Sequence, residues 1–260
     1  MYWWTWRDHL VRLAEAGYRA IAMDLRGYGG SDHPPEGYDP RTMAADVAGV
    51  IRSLGIPQAT IVGHGWGGIG AWSTAVLEPE VVRAIVPVSM PHPRQLRSAI
   101  LRDRQQRAAM RYAFGFQLPF LPERSLTASD ARRVEELLES WSGSREWLDE
   151  RTSSMFRSAF LRWPTAHTAI EYHRWAARSV LRPDGLSYMS LMEAPVQQSV
   201  LQVQGADDPM VLASSVDGSQ DFVRATYQRV DLPTGHFPHE EAPDLFADAL
   251  LDWLAHSARA

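Results

Sequence analysis

The sequence predicts an α/β protein: a mostly parallel sheet with helices on both faces and an inserted helical lid. Three observations carry this. Residues 58–62, 83–89, 199–204 and 225–232 read as strands, and they alternate with segments whose apolar residues recur at helical spacing. A glycine-dense turn, Gly63-His64-Gly65-Trp66-Gly67-Gly68, joins one strand directly to one helix. Strand patterning lapses at residue 91 and returns near 193, which places a helical insertion between two parts of one sheet.

In chain order, residues 3–16 predict a helix with Trp6, Leu10 and Leu13 on one face and Gly17 as its stop. Residues 18–24 predict a buried strand. A turn-rich stretch follows over 26–40, dense in Gly, Pro and Asp. Residues 41–54 form an amphipathic pattern through Met43, Val47, Val50, Ile51 and Leu54. The helix after the glycine turn carries Ile69, Trp72 and Val76. The insertion is rich in arginine and aromatics and is broken at Pro119, Pro122, Pro164 and Pro183. A closing helix spans 241–256. The expected organisation is a core over 1–90, a lid over 91–193 and the rest of the core over 194–260.

Composition narrows the function classes. With 260 residues, 45% of them hydrophobic, the chain can bury one large core. The net charge of -5 argues against a nucleic-acid surface, which needs a basic excess. Cysteine is absent, so disulfide and thiolate chemistry are excluded. All 26 basic residues are arginine, which rules out a lysine Schiff base. No apolar run approaches the ~18 residues of a membrane span, and no signal peptide is evident. A cytoplasmic location is expected, with no metal and no cofactor.

The chemistry is expected around the glycine turn. A sharp strand-turn-helix lifts one residue above the sheet, and small neighbours at Gly63, Gly67 and Gly68 let backbone approach backbone. An acid loop, Gly205-Ala206-Asp207-Asp208-Pro209, and a histidine loop, Gly235-His236-Phe237, each follow a strand. Open α/β sheets place their sites at such strand ends. These loops, the turn, and Asp24-Leu25-Arg26-Gly27-Tyr28-Gly29-Gly30-Ser31-Asp32 together resemble bacterial epoxide hydrolases and haloalkane dehalogenases of the α/β-hydrolase fold. The resemblance implies an aspartate nucleophile on the turn and a His-Asp pair that activates water. The matching positions are Gly65, His236 and Asp208. His236 and Asp208 agree with the family, and Gly65 does not: it lacks the side chain a covalent intermediate needs. Ser73 and Ser89 offer no obvious replacement.

The resemblance also implies two lid tyrosines. One family position falls on His173, within Tyr172-His173-Arg174, and the other near Gly115-Phe116-Gln117, where there is no tyrosine. Tyr112 or Tyr188 could substitute in space. The expected pocket residues are Tyr112, Phe116, Tyr172, His173, Tyr188 and Phe237, with the backbone N–H of Trp66 as an oxyanion donor. Asp207 is expected in solvent, His64 packed beneath the turn, and His239 at the surface or a helix start. The family's first strands have no counterpart here, and a chain beginning upstream of Met1 is expected. The expected function is weak hydrolysis of a small apolar epoxide or ester by water activated at His236 and Asp208. The alternatives are a non-catalytic protein binding a small apolar ligand, or an inactivated or truncated epoxide hydrolase.

Overall fold

The computed structural model describes residues 2–257, so Met1 lies outside it. Among these residues the sheet has four parallel strands, in the order β1 (Ala59–His64), β2 (Val82–Val88), β3 (Ser199–Gly205) and β4 (Tyr227–Leu232). Parallel neighbours need crossovers. The first is α3 (Trp66–Leu77), and the second is the whole insertion. The other core helices are α1 (Arg7–Glu15), α2 (Pro40–Ser53), α11 (Pro238–Glu241) and α12 (Pro243–Ser257).

Both faces of the sheet are covered. On one, Ala48 and Ile51 of α2 and Ala71, Trp72 and Ala75 of α3 pack with Val82, Ile85 and Val200. On the other, Phe246, Leu250 and Trp253 of α12 pack with Val86, Val88, Leu201 and Val203, joined by Trp6 and Leu13. Burial on both sides is why β2 reads as a near-continuous apolar run, whereas β3 also buries Gln202 and Gln204. The start of α2 is written locally: the Asp39 carboxylate accepts from the backbone N–H groups of Arg41 and Thr42, and Pro40 opens the helix.

The insertion holds α4 (Pro93–Arg102), α5 (Arg104–Ala109), α6 (Tyr112–Gly115), α7 (Leu121–Trp141), α8 (Glu150–Leu161), α9 (Thr165–Arg178) and α10 (Pro183–Leu191). No strand interrupts them among the described residues. The prolines stand at helix starts: Pro122 in the first turn of α7, Pro164 just before α9 and Pro183 opening α10. Buried Arg174 ties the block together. Its guanidinium donates to Glu123 at 2.6 Å, to Glu171 at 2.9 Å and to the carbonyls of Phe116 and Leu118. The block is seated on the core by Thr168, whose hydroxyl donates to the Gly27 carbonyl at 2.6 Å.

One expected element is absent. Residues 18–24 form no strand, and Ile21 is 49% exposed. The apolar pattern is there, but a strand exists only through a hydrogen-bonded neighbour. The described sheet ends at β1, and no ladder links it to this segment.

Candidate active site

The glycine turn sits where β1 runs into α3. Gly65 has φ 55° and ψ -117°, a conformation that L side chains rarely adopt. Its N–H donates to Val88 O at 3.1 Å, and its carbonyl accepts from the N–H groups of Gly68 and Ile69. A Cβ on Gly63 would overlap the Gly67 carbonyl, and one on Gly68 would lie 2.7 Å from Met90 Cβ. Gly67 has nothing within 4 Å of such an atom. The tight approach expected at Gly67 therefore belongs to Gly63 and Gly68. Accordingly, Gly63→Ala should lower stability by about 1–3 kcal/mol through overpacking, whereas Gly67→Ala should change it by less than about 1 kcal/mol. Urea melts of the two variants check this.

The acid and histidine loops bring Asp208 and His236 together. Asp208 Oδ2 accepts from His236 Nδ1 at 2.8 Å, and both side chains are buried. The other carboxylate oxygen accepts from the N–H groups of Met210 and Val211 at 2.8 and 2.9 Å. Gln204, on β3, donates to Oδ2 at 3.2 Å and to the Val211 carbonyl at 2.8 Å. With one carboxylate oxygen taken up by the two backbone N–H groups and the other set against the ring, the hydrogen bond from Nδ1 fixes the tautomer that carries its proton there. That leaves Nε2 as a lone-pair acceptor. It faces the turn: a Cβ built on Gly65 would lie 3.8 Å from Nε2. Asp207 is exposed, as befits a residue pointing away from the site.

Gly65, His236 and Phe237 line a cavity of about 470 Å³ with largely apolar walls. Trp66, Tyr112, Phe116, His173 and Tyr188 line it as well. Tyr172 does not. Its hydroxyl donates to the Arg26 carbonyl at 2.8 Å and its ring packs on Trp66, so it anchors α9 to the core instead of facing the cavity. The Tyr188 hydroxyl is engaged with Ser73 Oγ at 2.8 Å. Tyr112 differs: among the described residues its hydroxyl has no protein partner. Burial, with the charge of Asp208 adding to it, pushes that hydroxyl above the usual phenol range, so it stays protonated. Tyr28, from the turn-rich motif before α2, also lines the cavity, and burial raises its hydroxyl too.

His173 is neutral, because burial lowers its pKa to about 4. Its Nε2 accepts from Trp66 Nε1 at 3.3 Å and its Nδ1 meets the Ala169 carbonyl at 3.2 Å, so Nδ1 carries the proton. The N–H of Trp66 opens α3 and has no acceptor within the helix. Beneath the turn, His64 is buried and donates from Nε2 to the His236 carbonyl at 2.7 Å. His239 starts α11, but it is buried and not at the surface: its ring stacks on Trp6 at 4.5 Å. His9 donates to the His239 carbonyl at 2.8 Å. This layer of imidazoles was not foreseen as a unit, because its members are far apart in sequence.

The alpha/beta hydrolase fold family matches the chain over residues 1–243, and the chain belongs to that family. Within it, the likeness runs to epoxide hydrolases. Epoxide hydrolase 3 of Xenopus tropicalis is 29% identical over 259 residues, covering 97% of this chain and 68% of that protein. Epoxide hydrolase 4 of Mus musculus is 36% identical over 143 residues, 54% of this chain and 40% of that one. Among solved structures, the Bacillus megaterium epoxide hydrolase in complex with an inhibitor superposes with a TM-score of 0.85 at 22% identity, covering 98% of this chain and 90% of that one. Epoxide Hydrolase A from Mycobacterium thermoresistibile gives 0.83 at 23%, covering 98% and 88%. No helix among the described residues is long and apolar enough to cross a membrane.

Proposed function

We infer that the site hydrolyses a small apolar epoxide or ester by direct attack of water, without a covalent enzyme intermediate. The observation that carries this reading is the empty direction above Gly65, faced by the lone pair of His236 Nε2, 3.8 Å from where a Cβ would stand. A water in that space gives its proton to Nε2 as its oxygen bonds to the epoxide carbon. The carbon–oxygen bond opposite breaks, and the departing oxygen takes the proton of the Tyr112 hydroxyl, with Tyr28 close by as a second phenol. Proton return from the imidazolium to the tyrosinate restores the site. Asp208 stabilises the imidazolium through the 2.8 Å hydrogen bond. The Trp66 N–H is the donor available to an ester oxyanion. The helices between β2 and β3 serve as a lid that keeps bulk water from the apolar cavity.

General-base assistance of this kind is worth about 10²–10⁴-fold, so turnover should be slow. A single turnover of excess protein with styrene oxide in heavy-oxygen water tests the route. Direct attack puts the heavy oxygen into the diol of the first turnover. Unlabelled diol would require an enzyme carboxylate as the oxygen donor and would refute the reading. His236→Ala should reduce hydrolysis to within about 10-fold of background, given the size of the general-base effect. If the wild-type protein binds styrene oxide but does not turn it over, the cavity is a binding site for small apolar ligands.

A further inference from the structure

Glu241 closes α11, five residues after His236, and belongs to neither the acid nor the base of the site. Its carboxylate accepts four backbone hydrogen bonds. Oε2 takes the N–H groups of Gly143 at 2.8 Å, Ser144 at 2.9 Å and Gly235 at 2.9 Å. Oε1 takes the N–H of Phe237 at 3.0 Å. The N–H of His236 itself donates to the Trp141 carbonyl at 2.9 Å, where α7 ends. The three consecutive N–H groups at 235, 236 and 237 are therefore all engaged, two by one side chain and one by the helical insertion.

The approach is as close as backbone allows. A Cβ on Gly143 would lie 2.6 Å from Gly235 N, and one on Gly235 would overlap Gly143 and Ser142. A Cβ on Gly205, at the end of β3, would overlap the Gly235 carbonyl. Strand end, histidine loop and insertion thus meet without side chains between them, and the carboxylate of Glu241 is the group that fastens them. Hydrogen bonds from N–H to a carboxylate are roughly twice as strong as neutral ones.

We propose that Glu241 is a positioning residue that fixes the His236 backbone to the insertion at Gly143 and Ser144, so that placement of the helical block and aim of the imidazole are set together. The orientation of Nε2 toward Gly65 depends on the backbone on both sides of His236, and Glu241 holds both sides. A shift of the insertion at Gly143 is transmitted to the base without passing through the cavity. The proposal rests on His236 being the base of the hydrolytic reading, but its test does not need turnover.

The experiment compares wild type, Glu241→Gln and Glu241→Ala by NMR of the full chain. In wild type, the His236 Nδ1 proton, held against Asp208, should give a resolved downfield resonance. In Glu241→Ala that resonance should broaden or vanish. Amide exchange at Gly143, Ser144, Gly235 and Phe237 should quicken by about 10–100-fold, the loss expected for hydrogen bonds to a charged acceptor, with the amides of β2 unchanged. Glu241→Gln keeps an acceptor oxygen without the charge and should fall between. If Glu241→Ala does not fold, Glu241→Gln decides by the same readings. An unchanged His236 resonance with unchanged exchange at the four amides, in whichever variant is folded, overturns the proposal. Wild-type protein that shows the His236 resonance but does not hydrolyse styrene oxide, with the resonance lost in Glu241→Ala, would refute the hydrolytic reading and support this one.

Discussion

On acidification the protein is expected to unfold cooperatively near pH 5, well above the range usual for carboxylate-driven acid denaturation. Burial lowers the pKa of His9, His64, His92, His173 and His239, that of His92 to about 3 and that of His173 to about 4. In the unfolded chain each titrates near ~6.5. Above that pH all are neutral in both states and stability is unaffected. Below it the unfolded chain binds protons that the folded protein refuses, so stability falls with pH until the folded values are reached. Each group contributes a slope of about 1.4 kcal/mol per pH unit. Glu240 works the other way: burial raises its carboxyl to about 7, which favours the folded state as pH drops from there and offsets about one histidine. The histidines together outweigh it, and the fall is steep against a net stability of about 5–15 kcal/mol. Circular dichroism and tryptophan fluorescence across pH 4–7 would measure the midpoint.

His92 gives the clearest single-site check. It is fully buried, neither ring nitrogen has a partner among the described residues, and the ring stacks on Phe222 at 4.1 Å. His92→Phe keeps an aromatic ring and removes the titration. It should lower the acid midpoint and reduce the protons taken up on unfolding by about one. A wild-type midpoint below pH 4 would mean that these imidazoles are not held neutral.

The second large effect is expected from Gly65→Asp, which should convert direct water attack into covalent catalysis. Space permits the change, since only His236 Nε2 comes within 4 Å of the new Cβ, at 3.8 Å. The backbone resists it: φ of 55° with ψ of -117° is strained for any residue with a side chain. That strain should lower stability by about 1–3 kcal/mol. In return, the carboxylate would displace a halide or open an epoxide, and intact mass would rise by that of the alkyl group. Reactive alkyl halides need no proton donor, so adduct formation does not depend on Tyr112 or Tyr28. A folded variant that forms no adduct with either class would mean that the cavity does not present substrate carbon to position 65.

How much of this was readable in the sequence depends on the range of the interactions. β2 was evident because an apolar run buried on both faces needs no knowledge of its partners. Asp208 and His236 could be paired because each follows a strand of one parallel sheet, whose ends all point the same way. Residues 18–24 misled for the opposite reason: Ile21 and Met23 report apolar character, but only a neighbouring strand could make it a ladder. Tyr172 was assigned to the cavity because it neighbours His173, yet on a helix adjacent residues point about 100° apart, and its hydroxyl reaches Arg26 instead. Gln204 and Glu241 carried no signal at all. Their partners are mostly backbone groups brought together by the fold, and any sequence offers such groups at every position.

The meeting of Gly143, Gly205 and Gly235 has a consequence for how this molecule can diverge. A Cβ at any of the three would strike backbone, which cannot be reshaped by changing another side chain. No compensating mutation is one step away, so these positions are closed to drift. The cavity wall is the reverse. Phe114, at its edge, is 67% exposed and can be exchanged without disturbing the sheet. Variation in ligand preference should therefore accumulate among the wall residues of α4 to α6, while the contact between insertion and histidine loop stays unchanged. A library randomised at both places and selected only for folding should return the three glycines nearly intact and the wall almost freely replaced.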